Sequence, residues 1–440
     1  MLQRLFKLKE NRTDAKTEMM AGVTTFMTLS YIIFVQPTVL SSCGMDFGAV
    51  LVATCVSSAV ATFLMAFYAN YPIALAPGMG QNFFFAYTVV LKMGIPWQKA
   101  LGAVFLSGVL FLALSFFGFR EKLIDGIPGS LKEAIAVGIG LFIAMIGFQW
   151  SGIVVGSPST LVGLGSLHSA PVLLSIFGLL LTVTLVAARV RGALLWGILA
   201  TGLAGLPLGV VKYHGILGPV PSLAPTFLKL DIAGAFDLGL VSVIFVFFFL
   251  ALFDSVGTLI GVSNQAGLLV NGKLPRAREA LSADAFGSVS GALMGTSTVT
   301  AYVESAAGVA EGGRTGLANV VTGILMLAAL SLYPLSRMVG DGFKLPNGQQ
   351  VYPVVAPALI VVGSMMLGNV RRIRWDDATE AIPAFLTMAL MPFAFSITEG
   401  IAFGFISYSL LKLITRRGRE VHGLVYLFAA LFVIRYIYLQ

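Results

Sequence analysis

The sequence predicts an all-α polytopic membrane fold, and three observations carry that prediction. Of its 440 residues, 57% are hydrophobic and only 11% are charged, and the mean hydropathy is +0.91. A soluble domain has roughly a quarter of its residues charged, so this composition cannot clothe a water-facing surface of that size. Apolar stretches of about 20 residues, enough to cross about 30 Å of hydrocarbon, recur throughout. They do not alternate: residues 172–188 and 238–252 run continuously apolar. That pattern excludes the short alternating segments of a barrel and selects helices, which satisfy their own backbone hydrogen bonds in lipid.

The chain opens on a charged approach, residues 1–18, with Arg4, Lys7, Lys9, Arg12 and Lys16. Charge persists up to a first apolar run of full length, so no cleavable signal peptide is expected, and the positive-inside rule places the N-terminus in the cytoplasm. Helices follow at 19–40, 48–69, 100–118, 131–150, 170–188 and, shorter, 193–208. A Pro- and Gly-rich linker covers 209–236; then come 237–261, 281–294, 316–335, 351–368, 381–397, 400–414 and 422–438. The basic loops are Arg120 with Lys122, Arg189 with Arg191, Lys273 with Arg276 and Arg278, and Arg371, Arg372 and Arg374. All can be cytoplasmic if two broken segments, at 72–80 and 295–305, count as crossings. Arg416, Arg417 and Arg419 also belong there, so the last helix either ends outside or lies along the interface, unless 381–414 is one bent unit. The crossing count is about fourteen.

Two segments resist a helical reading. In residues 72–80, Pro77 disfavours helix at Ala76 while Gly78 and Gly80 permit tight turns. An extended piece leading into a short helix near Gly80 is expected. In 295–305, β-branched and hydroxyl residues favour another extended piece, and 305–310 reads as a second short helix. Non-helical backbone at membrane depth is tolerated only where protein or a watery cavity covers it. Each break is third in its half of the chain, the pattern of an inverted-repeat transporter whose binding site lies at the breaks.

Polar residues at that depth are the functional candidates, because an intramembrane carboxylate is costly and faces a cavity or pathway. Glu304, where the extended piece meets the short helix, can accept from the N–H donors of a polar ligand, handle a proton, or tie the core together. Asp254 ends the aromatic-rich run 246–253 and can serve as a ligand or proton site, or cap a neighbouring helix. Asn82 both donates and accepts, as recognition of a heterocycle edge requires, and caps helices equally well. Gln81 is its weaker neighbour. Asp284 and Glu399 read as structural polar groups, Asp284 bridging the half-helices and Glu399 marking a turn.

Other chemistries find little support. Cys43 and Cys55 lack CxxC or ligand spacing and read as apolar fillers. His168, His214 and His422 have neither HExxH nor mixed Cys/His spacing, so neither metal nor other cofactor is expected. Residues 308–315 approach a phosphate loop in glycine spacing, but Arg314 stands where Lys is needed and Glu311 would repel phosphate. The net charge of +8 comes from short loops without a basic stripe interleaved with aromatics, so no nucleic-acid partner is expected. Single deep carboxylates argue against an open ring-lined channel, and no reacting pair of a membrane enzyme is visible. An anion exchanger is the closest physical rival, because half-helix dipoles hold anions, although Glu304 and Asp254 together would repel one.

At these residues the chain resembles the nucleobase permeases of the xanthine/uracil (nucleobase:cation symporter 2) superfamily, in the branch carrying adenine, guanine and hypoxanthine. The matching text is Asn11-Arg12-Thr13 through Glu18, Ala69-Asn70-Tyr71-Pro72 with Ala76-Pro77-Gly78-Met79-Gly80, Phe253-Asp254 with Gly257-Thr258-Leu259-Ile260-Gly261, and Gly295-Thr296-Ser297-Thr298-Val299. Most specific is Glu304-Ser305-Ala306-Ala307-Gly308-Val309-Ala310-Glu311-Gly312-Gly313-Arg314-Thr315-Gly316. The resemblance runs in order over nearly the whole chain.

The resemblance implies a multi-pass protein of the cell membrane with about fourteen segments in two inverted sevens. It implies a core domain of 19–118 and 237–336, a gate domain of 119–208 and 337–440 that forms much of a homodimer contact, and the linker 209–236 between them. Elevator motion of the core, symport of a purine nucleobase with a proton, and a surround of membrane lipid belong to the same picture. Asp254 resembles the family acid of the eighth segment, Glu304 the substrate acid of the tenth and Asn82 the polar partner of the third. Phe83 or Tyr302 would lie near the purine ring, and Asp254 or Glu304 would carry the proton. Guanine and hypoxanthine are favoured over adenine; a uracil or xanthine substrate, or sodium coupling, is the alternative. The chain departs from its relatives where Gln81-Asn82-Phe83 replaces a common Leu-Asn-Ala and where Ala251 replaces a frequent Asp.

Overall fold

The computed structural model describes residues 2–116, 127–236, 238–269, 274–345 and 348–438. Arg120, Lys122 and Lys273 of the expected basic loops, and Asp237 at an expected helix start, lie outside the described residues. Among those described, eight helices are long and apolar enough to cross a membrane, from Ala15–Ser41 to Ile397–Ile414. Ala193–Gly205, Ala378–Phe393 and Gly423–Ile437 are shorter apolar helices. The chain is a helical, multi-pass membrane protein.

The expected helices recur with local differences that have physical causes. The run 19–40 is two helices, Ala15–Leu29 and Ile32–Ser41. Thr28 Oγ1 turns back to the carbonyls of Thr24 and Thr25, at 3.1 and 2.9 Å, just before the junction. Pro37 then removes the donor that would reach Ile33, and the Ser336 hydroxyl donates to that freed carbonyl at 3.0 Å instead. The run 316–335 bends through a 3₁₀ turn, Ala329–Leu332, into Tyr333–Gly340. Helix Ala356–Met366 starts later than expected because Gln350–Val351 pairs with Phe343–Lys344 as a small ladder. A second hairpin, Val154–Ser157 with Leu161–Leu164, was also not anticipated. Ala378–Phe393 and Ile397–Ile414 are two helices rather than one bent unit, separated where Phe395 takes a φ of 50°.

Helix Gly129–Trp150 packs on Ala356–Met366 and Ala378–Phe393, whereas Gly316–Ala328 packs on Ala15–Leu29 and Phe47–Leu64. Glycine makes these crossings close: a Cβ on Gly363 would stand 2.4 Å from the carbonyl oxygen of Gly140. Small residues let backbones approach where lipid supplies no hydrophobic drive between helices. The linker 209–236 lacks regular structure except the 3₁₀ turn Gly234–Phe236. It is nevertheless tied down, Leu228 N–H donating to Leu293 O at 2.8 Å and Asp231 N–H to Gln98 O at 2.9 Å.

Candidate functional site

The two irregular segments meet. Strand Leu75–Pro77 pairs antiparallel with Val299–Ala301, in the register Leu75 to Ala301, Ala76 to Thr300 and Pro77 to Val299. Both strands are wholly buried. Each leads into a short helix: Met79–Phe83, continuing as the π-helical Phe84–Lys92, and Ser305–Ala310.

A two-stranded ladder leaves outward-facing backbone groups unpaired, and in the interior of a membrane protein they need partners. Side chains of the flanking helices supply them. Thr62 Oγ1 accepts from Leu75 N–H at 3.0 Å and lies 3.1 Å from Leu75 O. Ser288 donates to Val299 O at 2.7 Å, and Asp284 accepts from Ala301 N–H at 2.8 Å. Pro77 has no N–H to satisfy at its outward position, and its carbonyl accepts from Tyr302 Oη at 2.6 Å.

Two acids stand differently. Glu304 immediately precedes helix Ser305–Ala310 but makes no side-chain cap to it. Its Oε1 instead accepts from Tyr31 Oη at 2.7 Å, across the bundle at the junction of the first two helices. Asp254, on helix Leu238–Gln265, accepts from Gln81 Nε2 at 3.3 Å. Both acids are half-buried, whereas Gln81 and Tyr302 beside them are buried. The Tyr302 ring centroid lies 6.4 Å from that of Tyr31. The result is a pair of incompletely partnered carboxylates with aromatic surface at a backbone break.

A sequence profile of the Permease family, Xan_ur_permease, matches residues 16–403. This chain belongs to that family. It is similar to adenine permease AdeP of Escherichia coli (strain K12), at 47% identity over 100% of this chain and 97% of the relative. It is also similar to guanine/hypoxanthine permease PbuG of Bacillus subtilis (strain 168), at 46% identity over 100% of both chains. In fold it resembles the transmembrane domain of the cyanobacterial bicarbonate transporter BicA, with a TM-score of 0.63 and 13% identity, covering 88% of this chain and 96% of that one. The chain is therefore a permease and not an enzyme.

The permease uses the remaining candidates in several ways. Asn82 is fully buried; it accepts from the Ser297 hydroxyl and donates to Pro77 O at 3.4 Å, so it binds the two broken segments to each other. Phe83, also fully buried, packs its ring 6.0 Å from Tyr87 and 6.1 Å from Trp150. Asp284 accepts from Ser255 as well as from the strand, joining helix Leu238–Gln265 to the ladder. Glu399 lies apart, accepting from Arg435 at 2.9 Å and from the Tyr436 hydroxyl in the last helix.

The loop that imitates a phosphate cradle is occupied from within. Glu18, fully buried, accepts from the backbone N–H groups of Arg314, Thr315 and Ala318 at 2.8, 3.3 and 3.2 Å. Glu311 pairs with Arg191 at 2.8 Å. Sequence reasoning passed over Tyr31 and Glu18. Tyr31 left one signal, a phenol set midway along the first apolar run; Glu18 left none beyond its place in the resemblance.

Proposed function

We propose that this permease imports a purine nucleobase in symport with a proton. The observation that carries the reading is the Glu304 carboxylate, half-buried at a backbone break, held by Tyr31 and unused by the helix it precedes. An ionised carboxylate accepts hydrogen bonds and donates none. Guanine offers its ring N1–H and exocyclic amine side by side, hypoxanthine offers N1–H, and adenine has an acceptor at N1. The expected order is therefore guanine and hypoxanthine ahead of adenine. The relatives named for adenine and for guanine with hypoxanthine support the purine class.

Tyr302 and Tyr31 supply ring surface for the base, with Asn82 and Phe83 shaping the half-helix behind it. Asp254, linked to the same half-helix through Gln81, is the site where the proton rides. A core of 19–118 and 237–336 moves as an elevator against a gate of 119–208 and 337–440, which also forms a homodimer; the N-terminus is cytoplasmic. The matching strand-and-half-helix breaks support about fourteen segments in two inverted sevens. The test is uptake of a radiolabelled nucleobase panel into proteoliposomes, with and without an imposed pH gradient. Guanine and hypoxanthine should accumulate only with the gradient. Uptake that ignores a protonophore and is lost without sodium replaces the proton; no saturable uptake of any purine refutes the reading.

A further inference from the structure

A second polar site lies far along the chain from the acids, and its argument is independent of the nucleobase reading. It is a cavity of about 370 Å³ lined by Glu133, Arg372, Arg374, Glu380, Tyr408 and Glu420, among others. Glu380, only 5% exposed, sits in the first turn of helix Ala378–Phe393. Its Oε1 accepts from Tyr408 Oη and pairs with Lys412 Nζ, each at 3.0 Å. Lys412 is 1% exposed and also reaches Glu420 at 3.3 Å and Asp377 at 4.0 Å.

The charges on this wall do not balance locally. Among the described residues Asp377, Glu380 and Glu420 form ion pairs with two bases, Lys412 and Arg417, the latter pairing with Asp377 at 2.6 Å and Glu420 at 2.8 Å. One negative charge is in surplus. Elsewhere in the lining Arg372 pairs with Glu133 at 3.6 Å, while the Arg374 guanidinium makes no ion pair among the described residues. One positive charge is therefore in surplus there. The cavity is neutral in sum and polarised, which suits neither a simple anion nor a simple cation.

Its surroundings say where a ligand would come from. Trp375, just before the apolar helix that carries Glu380, is 46% exposed, and Phe385, on that helix, is 56% exposed. The cavity thus lies where a helix enters lipid, at a basic juxtamembrane cluster of the kind that holds lipid headgroups. We propose that this cavity binds the headgroup of an aminophospholipid, its primary ammonium turned to the Glu380 wall and its phosphate to Arg374 and Arg372. A primary ammonium donates hydrogen bonds to carboxylates; a quaternary one has no N–H to give. A guanidinium matches phosphate oxygens bidentately.

Native mass spectrometry of the delipidated full chain, titrated with phosphatidylethanolamine, phosphatidylcholine and phosphatidylglycerol, tests this. One phosphatidylethanolamine should bind saturably, about tenfold more tightly than either of the others. Arg374→Gln, at an exposed position, should weaken all three lipids, since each carries the phosphate, and Arg374→Lys should restore part of the affinity. Glu380→Gln should remove the preference for phosphatidylethanolamine over the other two while leaving their binding in place. Equal binding of all three lipids, a preference untouched by Glu380→Gln, or an affinity untouched by Arg374→Gln overturns the proposal. Full competition by soluble glycerophosphoethanolamine also overturns it, since the ligand would then be a free headgroup.

Discussion

The carboxylates Glu18, Asp284, Asp254 and Glu304 divide into two pairs. Glu18 and Asp284 are fully buried and saturated, Glu18 by three backbone N–H groups and Asp284 by the Ala301 N–H and the Ser255 hydroxyl. Asp254 and Glu304 are half-buried, and each takes a single neutral side-chain donor, Gln81 or Tyr31. A buried charge persists only when it is paired or well hydrogen-bonded. The first pair therefore holds the irregular backbone in place, and under the proposed function the second keeps acceptor capacity for the base and the proton. The same residue types are satisfied differently because their donors differ.

The comparison breaks most visibly at Asp254. Asp254→Asn cannot take up and release a proton, so accumulation driven by a pH gradient should vanish while counterflow exchange of labelled purine survives. Loss of both in a protein that remains folded, or loss of neither, would place the proton elsewhere.

Asp284→Ala attacks the saturated pair. It strands the Ala301 N–H and the Ser255 hydroxyl in the interior, at a cost of roughly 3 kcal/mol. Thermal denaturation in detergent should show a strongly destabilised protein, with purine affinity per folded molecule unchanged. A stable variant with lost affinity would move Asp284 into the functional pair.

Tyr31→Phe is a gentler probe, removing one hydroxyl from Glu304. About 1.4 kcal/mol of positioning corresponds to a tenfold rise in the KM of uptake. An unchanged KM would make the Tyr31 contact incidental.

Much of this division was legible in the sequence. Pro77, Gly78 and Gly80 announced one break and the hydroxyl-rich 295–305 the other, because backbone preference is local. Glu304 and Asp254 stood out because acids are rare in such apolar surroundings. Asp284 reads in the sequence as a bridge between the half-helices; its partners in the structure are the strand N–H of Ala301 and the Ser255 hydroxyl. What stayed hidden depends on contacts remote in sequence: Tyr31 meets Glu304, and Glu18 fills the 314–318 turn, only after the bundle closes. Asn82 shows the same limit. Its chemistry suited a ligand or a tie equally, and only the Ser297 contact distinguishes how this conformation uses it.

The smallest expected effect lies outside the membrane. The Thr379 hydroxyl, and after it the Arg417 guanidinium, hold the Asp377 carboxyl well below the usual carboxylate range. A carboxyl depressed by folding contributes stability above its unfolded pKa, and that contribution disappears as pH falls through the folded value. Its loss is confined to the acid side of the ordinary carboxylate range. Arg417→Ala should consequently leave the near-neutral pH profile of uptake unchanged to within about twofold, as expected for a solvent-screened pair. A profile displaced near neutrality would show that this cluster, and not the interior acids, sets the pH response.

Equilibrium binding of radiolabelled guanine to purified protein, normalised to the folded fraction, separates the two pairs most directly. Glu304→Gln should lose binding by about 100-fold, the scale of a charge-assisted hydrogen-bond pair, and Asp284→Asn should bind like the parent. Parent-like binding by Glu304→Gln, with binding lost in Asp284→Asn, would contradict the account.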